Sequence, residues 1–121
     1  MARDITKPII AIAGSRSIKT LNFDLYLDKT NIAQVISGGA TGVDTLGEEW
    51  AKRNKIDFVA YLPNFDIYGY PKALFQRNED MAKACDIVHV FWDCKSHGSK
   101  HMIDYSKQIG RKVYVHIIEE R

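Results

Sequence analysis

The stretch Ser37-Gly38-Gly39-Ala40-Thr41-Gly42-Val43-Asp44 carries three glycines within five residues and runs straight into an amphipathic pattern. Glycines let a bound group approach the backbone without meeting a Cβ. Where such a loop opens a helix, exposed N–H groups and the positive end of the helix dipole suit an anion, a phosphate above all. The stretch is not a Walker motif, since no Gly-Lys-Ser/Thr follows, and it is not Gly-x-Gly-x-x-Gly. Asp44 falls in the first helical turn, where it either complements the dipole or takes a ribose hydroxyl. Thr41 is a further capping candidate.

Three other segments carry polar groups of the same kind. Ser96, His97, Gly98 and Ser99 precede another helical pattern and make a second N-terminal anion cradle, with Lys95 and Lys100 adding positive charge. Gly14-Ser15-Arg16 follows an apolar run; its glycine permits a sharp turn, Ser15 offers a hydroxyl and Arg16 a guanidinium fork. Arg77 and Asn78 sit in a helical pattern, with Asn78 on its apolar side, where a buried amide needs partners. Phe65, Tyr68 and Tyr70 lie in a loop, where they either stack on a base or pack against the protein or a second subunit. Cys94, His97 and His101 have metal-like spacing but no fourth ligand, and His97 sits in the expected phosphate loop, so no metal is expected. No other cofactor is called for. No Ser/His/Asp set or paired carboxylates stand out for catalysis.

These segments need elements to hold them. Continuous apolar runs at 8–13, 31–36, 57–62, 86–92 and 111–118 read as strands covered on both faces. Helical periodicity recurs over 42–54, 71–84 and 99–109, with Gly110 as a stop. Residues 17–27 complete the alternation as a fourth helix, although Asn22 and Asp24 dilute its apolar face. Strict alternation implies an α/β fold of Rossmann-like type: three α/β/α layers around a mostly parallel five-stranded sheet, in one domain over 1–121. In such a sheet a ligand binds beyond the carboxyl ends of the strands, where the order reverses. The strand ends are where the glycine segments fall.

Bulk composition narrows the partners. Seventeen basic residues against fifteen acidic give a net charge of +2, which argues against a protein that lives on nucleic acid or anionic membrane. No apolar run approaches the roughly 18 residues of a membrane span. The first residues, Met1 to Asp4, have no signal-peptide layout. Two cysteines, Cys85 and Cys94, suit reduced thiols and a cytoplasmic location. Trp50, Trp92 and the tyrosines are candidates for a homo-oligomer contact.

Taken in order, Ile12-Ala13-Gly14-Ser15-Arg16, then Ser37 to Asp44, then Arg77-Asn78-Glu79-x-Met81 with Asp86 opening a strand, then Ser96-x-Gly98-Ser99, resemble the SLOG superfamily. The chain is most similar to its small stand-alone YspA-like members of bacteria and phages. The resemblance implies a Rossmann-like domain that binds nucleotides or their derivatives. Its members include single-stranded-DNA-binding recombination mediators, phosphoribohydrolases, and sensors of NAD-derived or cyclic nucleotide signals in antiviral systems. The binding positions it implies are Gly14, Ser15, Arg16, Gly38, Gly39, Gly42, Asp44, Arg77, Asn78, Ser96, Gly98 and Ser99. Ser37, Ala40, Val43 and His97 lie within the same segments. The hydrolase branch resembles Gly-Gly-x-Gly-Thr-x-x-Glu after the fourth strand, with a catalytic glutamate. Here Ser99 stands at the threonine and Met102 at the glutamate, and a thioether cannot move a proton. Asp104 lies roughly 200° further round the helix. The resulting expectation is a protein that binds an ADP-ribose-like, NAD-like or cyclic nucleotide ligand for sensing or sequestration. A nucleotide N-glycosidase and a single-stranded-DNA module are the alternatives.

Overall fold

Strand β1 (Ile9–Gly14) takes the centre of the sheet because both its faces are apolar. The computed structural model describes residues 6–119, so the expectation for Met1 to Asp4 lies outside it. β2 (Gln34–Ser37) and β4 (Ile87–Trp92) flank β1, and β3 (Asp57–Ala60) and β5 (Lys112–Ile117) form the edges. All four pairings are parallel, in the order β3-β2-β1-β4-β5. The chain builds outward from β1 to β3, then returns to the other side of β1 at β4. That reversal opens a crevice at the carboxyl ends of β1 and β4.

Alternation along the strands sends side chains to two cores. Ile10, Ile12 and Phe91 face α1 (Val43–Arg53) and join Trp50 and Ala51. Ala11, Ala13, Val88 and Val90 face α3 (Lys72–Ala84) and α4 (His97–Gln108), meeting Met81, Met102 and Ile103. A single turn of helix, α2 (Phe65–Tyr68), precedes α3 within the aromatic loop.

The helix expected over 17–27 is absent. The segment is irregular, with one 3-10 turn at Phe23–Leu25. Its buried residues Ile18, Phe23 and Leu27 do not share one helical stripe, because the five-residue step from Ile18 to Phe23 is roughly 140° round a helix. The Asn22 side chain accepts from Asp24 N–H, and the Asp28 carboxylate accepts from the Thr30 N–H and hydroxyl. Such local side-chain bonds compete with helical ones. Packing holds the segment instead: Phe23 meets Trp50 and Phe91, and Trp50 Nε1–H donates to Asp24 at 3.1 Å. Trp50 is therefore core at 2% exposure, not the subunit contact expected. Trp92 is half-buried, and its Nε1–H donates to Ser96 O. Among the described residues no helix is long and apolar enough to cross a membrane.

Candidate functional site

A cleft of about 200 Å3 lies over the ends of β1, β2 and β4. Its floor is Ala13 and Gly14. One wall is Ala40 and Asp44, another is Ser96, Gly98 and Ser99, and α3 contributes Leu74, Arg77 and Asn78. Arg16 and Tyr70 stand at its mouth, both exposed. The two glycine junctions expected to share one crevice do share it. A wider surface hollow is lined by a single stretch, Asp24 to Thr30, and none of these groups reaches it.

At the β2–α1 junction the protein's own groups fill much of the space. The Asp44 carboxylate is 5% exposed and accepts from Ala40 N–H at 3.2 Å. Arg77 Nη1–H donates to Gly38 O at 2.5 Å. A side chain on Gly38 would collide with the Arg77 guanidinium and the Asp44 carboxylate. Gly42 has φ +76°, and a Cβ there would come within 2.7 Å of Ser15 O and Arg16 Cα. Ser37 donates its hydroxyl to Ile12 O, and Val43 is fully buried. Ser15 is 1% exposed, and its Oγ accepts from Asp93 N–H. Ser15, Ser37, Gly42 and Val43 therefore frame the cleft from behind. Asp44, one of two readings of which was a ribose ligand, faces inward to its own loop. Gly39 is exposed, at φ +73° beside Leu62.

The β4–α4 junction is open. The Asp93 carboxylate accepts from the N–H groups of Lys95 and Ser96 and from the Ser17 hydroxyl. Burial pushes Asp93 up, but these donors outweigh it and hold the group well below the usual carboxylate range. Ser96 caps α4 by accepting from Ser99 N–H at 3.3 Å. The N–H groups of His97 and Gly98 have no protein acceptor among the described residues. A Cβ on Gly98 would meet nothing within 4 Å. The His97 side chain is exposed and does not line the cleft.

Asn78, 7% exposed, ties the two sides together. Its Oδ1 accepts from Arg77 Nε–H, and its amide donates to Gly98 O at 3.1 Å and toward His101 Nδ1 at 3.4 Å. His101 also stands 3.6 Å from Glu79. It is thus turned toward α3, and among the described residues no three His, Cys, Asp or Glu side chains form a metal-sized group.

Electrostatics favour an anion. Burial pushes Asp44 up to about 6, against the lowering effects of Ala40 N–H and Arg77. Burial also lowers Arg77; Asp44 opposes that shift and Arg16 adds to it by repulsion. The Arg16 guanidinium has no ion-pair or hydrogen-bond partner among the described residues. Two cations thus face a cleft whose nearest carboxylate is internally engaged.

Ala13 and Leu74 were not expected at the site. Leu74 stands one helical turn before Arg77, so the face that presents the arginine also presents it.

Comparison with known proteins bears on the same region. A profile described as "YspA, cpYpsA-related SLOG family" matches residues 8–68, from β1 through α2. No curated protein sequence matches significantly. Among solved structures, DNA processing protein A (DprA) from Streptococcus pneumoniae is similar in fold, with a TM-score of 0.70 at 21% sequence identity. The likeness covers 90% of this chain and 50% of that one, so the chain spans about half that structure's length.

Proposed function

We propose, from the premise that this chain belongs to the YspA, cpYpsA-related SLOG family, that it binds a nucleotide-derived ligand by its phosphate and holds it for sensing or sequestration. The observation that carries this reading is the open β4–α4 junction, with Gly98 and the first N–H groups of α4 facing Arg16 and Arg77 across one cleft. A phosphate over Gly98 would take the His97 and Gly98 N–H groups and the positive end of the α4 dipole. Arg16 would supply a forked donor from the other side, and Arg77, its Nε and Nη1 already bonded to Asn78 and Gly38, its charge and remaining Nη N–H groups. Tyr70, 80% exposed at the rim, would lie against a base. An ADP-ribose-like, NAD-like or cyclic nucleotide ligand meets these demands.

Side-chain placement supports binding over N-glycoside cleavage. Met102, at the position of the hydrolase branch's glutamate, is fully buried in the core between the sheet and α4. The Asp104 carboxylate is paired with Lys100 on the outer face of α4. The near balance of charge speaks against a DNA-binding role.

Calorimetry against ADP-ribose, NAD, AMP and cyclic mononucleotides tests the reading, with free base followed by chromatography in parallel. The expected result is micromolar or tighter binding of at least one phosphorylated compound and no release of base. A folded protein that binds none of the panel would end the proposal. Stoichiometric release of base would replace it with the glycosidase.

A further inference from the structure

Among the described residues the sheet ends in two edge strands, β3 and β5, built differently. β3 is four residues long, begins on Asp57 and is followed closely by Pro63. β5 is six residues long; after Lys112 at its first position, it has no charged residue, proline or glycine from Val113 to Ile118, so any guard is confined to one end. Edge strands are ordinarily guarded by one of those devices. Here Tyr114, Val115 and Ile117 are 39%, 36% and 53% exposed.

The backbone of β5 has a readable orientation. Ile118 N–H donates to Trp92 O at 3.0 Å, so residue 118 directs its amide toward β4. Directions alternate along a strand, so residues 113, 115 and 117 direct their N–H and C=O groups away from the sheet. Side chains alternate as well. Tyr114 stacks on His89, and His116 stacks on His89 and Phe91, all on the α1 side. Val113 packs on the opposite, α4 side.

We propose that β5 pairs antiparallel with β5 of a second copy of this chain, about a two-fold axis at Val115. An axis normal to the sheet keeps each face on its own side, so paired residues must share a side-chain direction. With Val115 opposite Val115, Val113 lies opposite Ile117 and Tyr114 opposite His116. The outward amides at 113, 115 and 117 then meet as the closely bonded pairs, two hydrogen bonds at each. Tyr114 beside His116 of the second copy extends the aromatic row already on that face, a favourable cross-strand pairing. At the strand ends the register sets Arg111 opposite Glu119 and keeps the two Lys112 positions apart. Six-residue strands alone bury less than the roughly 1,200–2,000 Å2 of a stable interface, so the dimer forms in the micromolar range. This association does not depend on what the cleft binds.

Sedimentation velocity from about 1 to 300 µM tests it, since an interface this small needs high concentration. The wild-type chain is expected to pass from monomer to dimer across that range. Val115→Glu and Val115→Lys each place like charges face to face on the axis and should weaken association at least about tenfold. An equimolar mixture of the two should restore it as a heterodimer, a result special to a residue that pairs with itself. Hydrogen exchange on the wild-type chain reads the same interface without substitution: amides 113, 115 and 117 should gain protection with concentration. A wild-type monomer throughout, unchanged exchange at those amides, or dimers indifferent to both substitutions would overturn the proposal.

Discussion

The two junctions lie on one cleft and each opens a helix with glycine, three at β2–α1 and one at β4–α4, yet they do opposite things with it. At β2–α1 the glycines let the protein close on itself: Gly38 admits the Arg77 guanidinium, and Gly42 admits the backbone of Ser15 and Arg16. Its donor at Ala40 is spent on the Asp44 carboxylate. At β4–α4 the Asp93 carboxylate takes the loop amides just before the helix, and a Cβ on Gly98 would meet nothing within 4 Å. The first junction builds a wall, and the second leaves its helix N-terminus open to the cleft. A glycine-rich turn at a helix start therefore signals close approach, but the approaching group can be the protein's own.

The sharpest way to break this comparison is Gly42→Ala. The new Cβ would press on Ser15 O and Arg16 Cα at a φ of +76°. Strained backbone and overpacking together should cost about 3 kcal/mol, read by urea denaturation. A loss below about 0.5 kcal/mol, the level of an ordinary surface substitution, would show that the junction is not closed as described.

Asp44→Asn tests the buried carboxylate through pH. Folding raises the Asp44 pKa from 3.8 to about 6. A raised carboxyl binds its proton more tightly when folded, so its contribution to stability is full below about pH 4 and is lost as pH rises through 6. The shift corresponds to about 3 kcal/mol as an upper figure. Wild-type stability minus that of Asp44→Asn should therefore fall by about 2–3 kcal/mol from pH 4 to pH 7, because the other carboxylates cancel. A flat difference would mean that Asp44 ionises freely toward solvent, which would reopen its role as a ligand group.

Much of the architecture was legible in the sequence, because continuous apolar runs and helical periodicity are set by burial on known faces. The segment over 17–27 was not. Leu21, Leu25 and Tyr26 fit a helix on paper, but burial goes to Ile18, Phe23 and Leu27, and Trp50 and Phe91 decide that. The cleft's membership was legible in outline, since strand ends of one parallel sheet must converge. The direction of individual groups was not: whether Asp44 faces a guest or its own loop depends on how Gly38 to Ala40 curl over it. Nothing in one sequence separates a glycine required by its neighbours, such as Gly42, from one that leaves room, such as Gly98.

Arg16→Ala addresses the open side. The side chain is exposed and makes no hydrogen bond or ion pair within the described protein, so stability should change by less than about 0.5 kcal/mol. Affinity for the phosphorylated ligand should fall about 10–100-fold, the worth of a charge-assisted contact. Equal affinity would remove Arg16 from the site.

Gly98→Ala gives the smallest change in stability and the opposite sign to Gly42→Ala. Gly98 lies in the first turn of α4, has no positive φ, and faces open space. A methyl group there meets no neighbour, and alanine is the better helix former, so the fold should gain up to about 0.5–1 kcal/mol. The same methyl group stands where a phosphate would rest on the helix N–H groups, so affinity should drop at least about tenfold. More stability with less binding is the signature of a residue kept for a guest. If alanine stabilises the fold and leaves affinity untouched, the open N-terminus of α4 is only surface, and the contrast between the two junctions loses its functional meaning. If alanine destabilises the fold instead, Gly98 belongs with Gly42 as a residue its own neighbours require.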